Sequence, residues 1–210
     1  MREADPVVLV PWETVARDCG MPAAVYSGDD GPPADSVLET IEFYVMPRAS
    51  RADRALIPQM PRLRVLQTLN AGYDDVIGLL GPKVVLVNGR GLRDVSVSEH
   101  ALALILAQQR EIPKWVRQQA AGQWRRSIPR SLTGSRVLIV GYGSLGAAIE
   151  RRLSGFDTRI TRVATRSRPA DAVRGVEDLH ELLPEANIVV LTVPLTLHTT
   201  VNRSRLNPPS

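Results

Sequence analysis

The stretch RVLIVGYGSLGAAIERRL, residues 136–153, constrains the fold of this 210-residue chain more than any other segment. A short apolar run is followed at once by three glycines with the spacing GxGxxG, which are Gly141, Gly143 and Gly146, and then by a helical pattern. A strand joined to a helix by so tight a turn is typical of parallel sheets, in which a helix carries the chain back to the start of the next strand. We therefore predict an α/β fold with a parallel sheet built around residues 136–140.

The same stretch predicts a site for a dinucleotide. The first glycine permits the tight turn, the second lets a pyrophosphate approach the backbone, and the third lets the helix pack closely on the strand. The main-chain amides of Tyr142, Ser144 and Leu145 would hold the pyrophosphate at the helix N-terminus. The motif also occurs in methyltransferases and in strand-to-helix turns that bind nothing, so both alternatives stay open at this point.

The next predicted strand ends in VATRSR, residues 163–168. NAD-specific folds place an acidic residue about 20 residues after the glycine turn, on the ribose hydroxyls. Here the chain has no acid and instead offers Arg166, Ser167 and Arg168, whose guanidinium and hydroxyl groups suit a 2′-phosphate. We predict NADP as the cofactor, with NAD as the second choice. The alternative is a solvent-facing basic turn in an arginine-rich chain.

The rest of the chain alternates between strand-like and helix-like segments, which predicts two α/β units with mainly parallel sheets. A long apolar helix, capped by Ser96 or Ser98 and interrupted by Pro113, separates the two units. In the first unit we expect strands at 7–10, 41–46, 64–69 and 84–87, with helices near 12–19, 51–60 and 74–80. In the second we expect strands at 136–140, 159–164 and 187–193, with helices at 144–154 and around 179–183.

Composition excludes several classes of function. The 26 lysines and arginines are dispersed, the net charge is only +4, and few aromatic residues are present for base stacking, so we expect no nucleic-acid partner. The single cysteine, Cys19, cannot form an internal disulfide, and no His/Cys cluster has the spacing of metal ligands. No apolar run is long enough to span a bilayer, so we expect a cytoplasmic protein with no membrane partner.

Four segments resemble the D-isomer-specific 2-hydroxyacid dehydrogenase family in order and spacing. The segments are TLNAGYDDV (68–76), NGRGLRDVSVSEHALALILA (88–107), IVGYGSLGAAI (139–149) and VVLTVPLTLHTT (189–200). The resemblance implies a flavodoxin-like substrate domain, residues 1–96, followed by a partial Rossmann NAD(P)-binding domain, residues 97–210. It also implies hydride transfer between NAD(P)H and a small 2-keto or 2-hydroxy acid, in an enzyme that is a homodimer when complete.

The resemblance assigns further binding residues. The NAGYDD turn resembles the family loop whose main-chain amides hold the substrate carboxylate, which points to Ala71 and Gly72; the alternative is a plain glycine turn. The VPLT run resembles the loop that passes over the adenine and its ribose, which points to Val193, Pro194 and Thr196.

We assign no catalytic residue. His100, His180 and His198 do not match the family's catalytic histidine, and Arg90 and Arg93 lie in the segment that resembles its interdomain hinge. The family's catalytic Arg, Glu and His have no counterpart before Ser210. We therefore expect a truncated dehydrogenase that is inactive as this chain alone. The alternative is a catalytically silent NADP-binding or regulatory module.

Overall fold

A computed structural model of the protein describes residues 7–29 and 31–194. The described residues divide into two compact units, with the boundary between Leu92 and Arg93. The first unit contains 7–29, 31–92 and Pro194, and the second is Arg93–Val193. The boundary predicted from sequence, between 96 and 97, lies a few residues further along the chain.

The first unit is a parallel five-stranded sheet with strand order β2-β1-β3-β4-β5. This 2-1-3-4-5 order is that of flavodoxin-like folds, as expected from the resemblance. The strands are β1 (Val8–Val10), β2 (Ala23–Val25), β3 (Phe43–Met46), β4 (Val65–Thr68) and β5 (Val85–Val87), and the helices are α1 (Glu13–Asp18), α2 (Asp35–Leu38) and α3 (Arg51–Ala55).

The central strands carry the core of the first unit. Leu9, Tyr44 and Leu66 are fully buried, and the partly buried positions of β3 and β4 alternate with buried ones, since successive side chains of a strand point to opposite faces. A capping box begins α3, where the Ser50 hydroxyl accepts from the Asp53 N–H and the Asp53 carboxylate accepts from the Ser50 N–H. These contacts fix the chain as it leaves the carboxyl end of β3.

The second unit is a parallel four-stranded sheet with strand order β8-β7-β6-β9. This corresponds to the 3-2-1-4 part of the Rossmann order and confirms the predicted α/β class. The strands are β6 (Arg136–Val140), β7 (Arg159–Ala164), β8 (Val173–Gly175) and β9 (Ile188–Leu191), and the helices are α4 (Asp94–Gln109), α5 (Ile112–Ala120), α6 (Ser144–Leu153) and α7 (Leu179–Leu182).

The helix between the two predicted units differs from the sequence prediction. The N-cap of α4 is Arg93, without a side-chain cap, and Ser98 lies inside the helix, where its hydroxyl donates to the Val95 carbonyl at 2.9 Å. The expected cap by Ser96 or Ser98 is therefore wrong. Pro113 does not merely interrupt the helix: it lies in the first turn of α5, where its missing N–H costs no intrahelical hydrogen bond.

The described residues contain neither a membrane-spanning helix nor a cluster of metal-ligating side chains. None of the helices found there combines the length and the apolar character needed to cross a membrane. Within residues 7–29 and 31–194, no group of three or more His, Cys, Asp or Glu side chains is placed to hold a metal ion.

Candidate functional site

The glycine loop after β6 has, at its first position, a backbone conformation that residues with a side chain rarely adopt. Gly141 has φ +100°, and a Cβ atom there would lie 2.8 Å from the Thr192 carbonyl carbon. The N–H groups of Gly141 and Tyr142 both donate to the Val163 carbonyl at 2.8 Å, which ties the loop to the end of β7. Any larger residue at position 141 would have to displace the backbone that follows β9.

The first turn of α6 presents amides that can bind an anion. The Ala147 N–H donates to the Gly143 carbonyl at 3.0 Å, and an α-helix leaves the N–H groups of its first turn without intrahelical acceptors. Those of Ser144 and Leu145 thus lie at the positive end of the helix, as a pyrophosphate requires. The predicted amide of Tyr142 is not available in the same way, because it already donates to Val163. The loop and the helix terminus together fit the pyrophosphate of a dinucleotide.

The third glycine brings the helix close to the strand. A Cβ on Gly146 would lie 3.2 Å from both the Gly141 carbonyl oxygen and Ile139 Cγ2, and 3.4 Å from Tyr142 Cδ2. The two distances of 3.2 Å are tighter than most contacts of a Cβ atom, so the neighbours would have to shift by a few tenths of an ångström to admit a side chain at position 146. The close packing predicted from the motif is thus present at Gly146.

The three residues predicted to bind a 2′-phosphate have different surroundings. All three are exposed and follow β7. Arg166 makes no hydrogen bond or ion pair with any residue of the described chain, whereas the Ser167 hydroxyl donates to the Val173 carbonyl at 3.2 Å. Arg168 Nη2 donates to the Tyr142 carbonyl at 2.7 Å. The guanidinium of Arg166 therefore has no partner among the described residues, whereas that of Arg168 is hydrogen-bonded to the glycine loop.

A charged cluster behind the loop was not identified from the sequence. Arg162, on β7, donates from Nε to Glu150 Oε2 at 2.9 Å, and the Tyr142 hydroxyl donates to the same carboxylate. Burial raises the pKa of Glu150, but its hydrogen bonds and the Arg162 charge outweigh this and hold the pKa below its ordinary value. The available signal was an arginine in the interior of the strand RITRVA, which needs a partner when its neighbours are buried.

The end of β9 borders the glycine loop. The Thr192 N–H donates to the Val140 carbonyl at 2.9 Å, and its hydroxyl donates to the Gly141 carbonyl at 2.8 Å. Val193 Cγ1 lies 2.9 Å from the position of a Cβ on Gly141. Of the predicted adenine loop, Val193 is thus beside the glycine loop, Pro194 is the last residue described, and Thr196 lies outside the described residues.

The predicted carboxylate loop follows β4 in the first unit. Ala71 and Gly72 are exposed, and within the described chain their N–H groups donate to no protein acceptor. Two residues missed by the sequence analysis hold this loop. Asn88 Nδ2 donates to the Ala71 carbonyl at 2.9 Å, and the Gly89 N–H donates to the Asn70 carbonyl at 2.8 Å.

The loop after β4 also carries a carboxylate of its own. Asp74 Oδ2 lies 3.9 Å from the position of a Cβ on Gly72. A negative charge so close opposes the binding of a substrate carboxylate, so the amides at Ala71 and Gly72 would have to outweigh it.

The histidines and arginines that were set aside remain without a catalytic assignment. His100 and His180 are exposed, and His198 lies outside the described residues. Arg93 is the N-cap of α4, and the backbone N–H of Arg90 points to Asn88 Oδ1 at 3.4 Å. None of these contacts orients a side chain for proton transfer.

Comparison with known proteins places the chain in a family. Residues 102–207 match the model of the D-isomer specific 2-hydroxyacid dehydrogenase NAD-binding domain. The chain is 32% identical to glyoxylate reductase of Pyrococcus furiosus, covering 83% of this chain and 57% of that protein. It is 36% identical to glyoxylate/hydroxypyruvate reductase B of Escherichia fergusonii, covering 72% and 50%. It therefore spans about half the length of these relatives.

A solved structure supports the fold independently. A D-isomer specific 2-hydroxyacid dehydrogenase family protein from Aeromonas salmonicida superimposes with a TM-score of 0.76 and 23% identity. The superposition covers 97% of this chain and 69% of that one. The matched NAD-binding domain takes in β6, the glycine loop that follows it, α6 and β7. This match to half of the chain shows that the protein belongs to the D-isomer specific 2-hydroxyacid dehydrogenase family.

Proposed function

We propose that this chain binds NADPH at the N-terminus of α6 and serves hydride transfer between that cofactor and a small 2-keto or 2-hydroxy acid. The observation that carries the proposal is the glycine loop, where Gly141 adopts φ +100° and the first-turn amides of α6 are open to an anion. Arg166 supports NADPH over NADH for two reasons. Its exposed guanidinium has no partner in the described chain, and the segment after β7 lacks the acidic residue by which NAD-specific folds bind the ribose hydroxyls.

The proposed substrate class is supported by the names of the relatives and by the loop that carries Ala71 and Gly72. Glyoxylate and hydroxypyruvate, the compounds in the names of the two relatives, are both small 2-keto acids. In this chain the N–H groups of Ala71 and Gly72 would hold the substrate carboxylate, since adjacent amides in a turn bind an anion without a charged side chain. The nearby Asp74 disfavours substrates with a second negative charge.

The reaction needs a hydride and a proton. The dihydronicotinamide supplies the hydride when NADPH is bound, and the product is the 2-hydroxy acid with NADP⁺. The chain's own residues bind and orient: the α6 amides hold the pyrophosphate, and the 71–72 amides hold the acid. We assign the proton donor to no residue of this chain.

Cofactor binding is the direct test. Calorimetric titration of the 210-residue chain with NADPH and with NADH should give tighter binding for NADPH. Gly141→Ala should abolish binding of both cofactors, since the new Cβ meets Thr192 and the backbone is strained. Gly155→Ala is the matched control, because a Cβ there meets nothing within 4 Å, and it should bind like the original chain. The proposal fails if the original chain binds neither cofactor.

A further inference from the structure

Arg168 connects two segments of the second unit. Its backbone is hydrogen-bonded in both directions to Val173, from N–H to carbonyl at 2.9 Å and from the Val173 N–H to its own carbonyl at 3.1 Å. Its guanidinium reaches away from this anchor and donates to the Tyr142 carbonyl at 2.7 Å. The side chain thus spans the distance from the segment after β7 to the middle of the glycine loop.

Tyr142 is held from several directions. Arg168 Cζ lies 5.9 Å and Arg162 Cζ lies 5.3 Å from the centre of its ring, both within the range of a cation–π contact. Its hydroxyl donates to Glu150, and its N–H donates to Val163. Arg168 is therefore one member of a group that fixes the residue between Gly141 and Gly143.

Asp171 links Arg162 and Arg168 within this group. Arg162 Nη1 donates to the Asp171 carbonyl at 2.8 Å, the Asp171 N–H donates to the Arg168 carbonyl at 3.0 Å, and Arg168 Nε lies 3.8 Å from Asp171 Oδ2. The nearby carboxylate lowers the attraction of the Arg168 guanidinium for a phosphate. Arg166 has no such neighbour in the described chain, although it lies only two residues away.

Given the proposed cofactor site, we propose that Arg168 is a positioning residue for the glycine loop and not a ligand of the 2′-phosphate. The loop holds the pyrophosphate, which NADPH and NADH share, so Arg168 supports both cofactors equally. The distinction between the two cofactors then falls to Arg166. This separates two arginines that the sequence alone treats as equivalent.

The ratio of the two affinities tests this assignment. Dissociation constants for NADPH and NADH are measured by titration for the original chain, Arg168→Ala and Arg166→Ala. Loss of a hydrogen bond from a charged donor predicts that Arg168→Ala weakens both cofactors by a similar factor, about tenfold or more. Arg166→Ala should weaken NADPH by about tenfold and leave NADH unchanged. Arg168→Lys, which keeps a donor, should recover part of the loss for both cofactors.

Controls separate positioning from general damage. Arg174→Ala removes another arginine of the same unit, one that pairs with Asp178 at 2.6 Å and does not contact the loop, and both affinities should stay unchanged. Without any cofactor, amide exchange at Tyr142 and Gly143 should be faster in Arg168→Ala, while exchange at Leu138 inside β6 should not change. Faster exchange throughout the unit would indicate unfolding and would contradict the assignment.

Each outcome decides one question. If Arg168→Ala weakens NADPH alone, Arg168 is a phosphate ligand and the inference is overturned. If it changes neither affinity, the contact with Tyr142 has no role in binding and the inference is also overturned. Failure of the original chain to bind either cofactor overturns the proposed function instead, and the exchange at Tyr142 still reports whether Arg168 holds the loop.

Discussion

Glu150 shows how a single charge can stabilise the candidate site. Its side chain is only 18% exposed and accepts from Arg162 and Tyr142. A carboxylate removed from water is costly unless it is paired, and here the pairing is strong enough to lower its pKa despite the burial. The pair joins α6 to β7 directly behind the glycine loop.

We predict a pH-dependent effect of Glu150→Gln. At pH 7 the change should lower the free energy of unfolding by about 1–3 kcal/mol, because Arg162 loses a charged partner. The pKa of Glu150 is lower in the folded chain than its ordinary value of 4.5, so the carboxylate stabilises the fold above about pH 4.5. That contribution is lost as the pH falls through the lowered pKa. Urea unfolding between pH 7 and pH 3 should therefore show the two curves converging in acid.

Glu185→Gln is the matched control for this experiment. Glu185 belongs to the same unit, is exposed, and its carboxylate forms no ion pair in the described chain. Its replacement should leave the difference from the original chain near zero at every pH. A difference between Glu150→Gln and the original chain that grows in acid would contradict the role given to the ion pair.

At the scale of elements, the loops after β4 and β5 support each other. Gly89 follows β5, and a Cβ there would lie 2.5 Å from the carbonyl carbon and oxygen of Leu69. The loop that carries Ala71 and Gly72 therefore packs closely on Gly89, because Gly89 has no side chain. Asn88, next to Gly89, adds a hydrogen bond to the same loop.

We predict that Gly89→Ala displaces the loop after β4. The overlap should cost about 1–3 kcal/mol in the free energy of unfolding, the usual range for a side chain forced into a packed site. Amide exchange at Ala71 and Gly72 should also change, since the Gly89 N–H holds the preceding Asn70 carbonyl. Gly78→Ala is the control, because a Cβ at Gly78 meets nothing within 4 Å. Equal effects of the two changes would show that the close contact does not hold the loop.

How well an element could be predicted depended on its length and position. β6 and β7 have the bounds expected from sequence, and both are inner strands of their sheet. β6 is a continuous apolar run after Arg136, whereas β7, RITRVA, has polar residues among its apolar ones. β2 and β8 were missed: each has three residues at a sheet edge, too few for alternation to be recognised. The helix expected at 74–80 is only a 3₁₀ turn, Ile77–Leu79, because one buried residue, Val76, cannot support a longer helix there.

The candidate site was predictable where backbone geometry dictates the residue. Gly141 and Gly146 were identified because their spacing reflects a turn that excludes side chains. The different surroundings of Arg166 and Arg168 could not be predicted, since they depend on where the chain returns to pair with Val173 and on the carbonyl of Tyr142. Such tertiary contacts leave no periodic signal in the sequence.

At the scale of the molecule, each unit has a core of its own and carries a different part of the proposed chemistry. The first core contains Leu9, Tyr44 and Leu66, and the second contains Ile139 and Ile149. The amides proposed for the substrate carboxylate belong to the first unit, and those proposed for the pyrophosphate belong to the second. Binding of each ligand can therefore be measured separately from turnover.

We predict that the 210-residue chain binds NADPH but reduces glyoxylate or hydroxypyruvate only slowly. The comparison is with the same chain joined to the C-terminal part of Pyrococcus furiosus glyoxylate reductase, called here the joined chain. The joined chain should reduce these acids at least about a hundredfold faster. Binding needs only the glycine loop and the α6 amides, whereas turnover needs a cation and a proton donor at the substrate oxygen, and loss of either costs about a hundredfold. Oxidation of NADPH is followed at 340 nm with both acids, and Gly141→Ala in the joined chain is the control for cofactor dependence. Rapid turnover by the 210-residue chain would contradict this prediction and show that its own residues supply the proton. Arg90→Ala and Arg93→Ala would then test whether either arginine supplies the positive charge at the substrate oxygen.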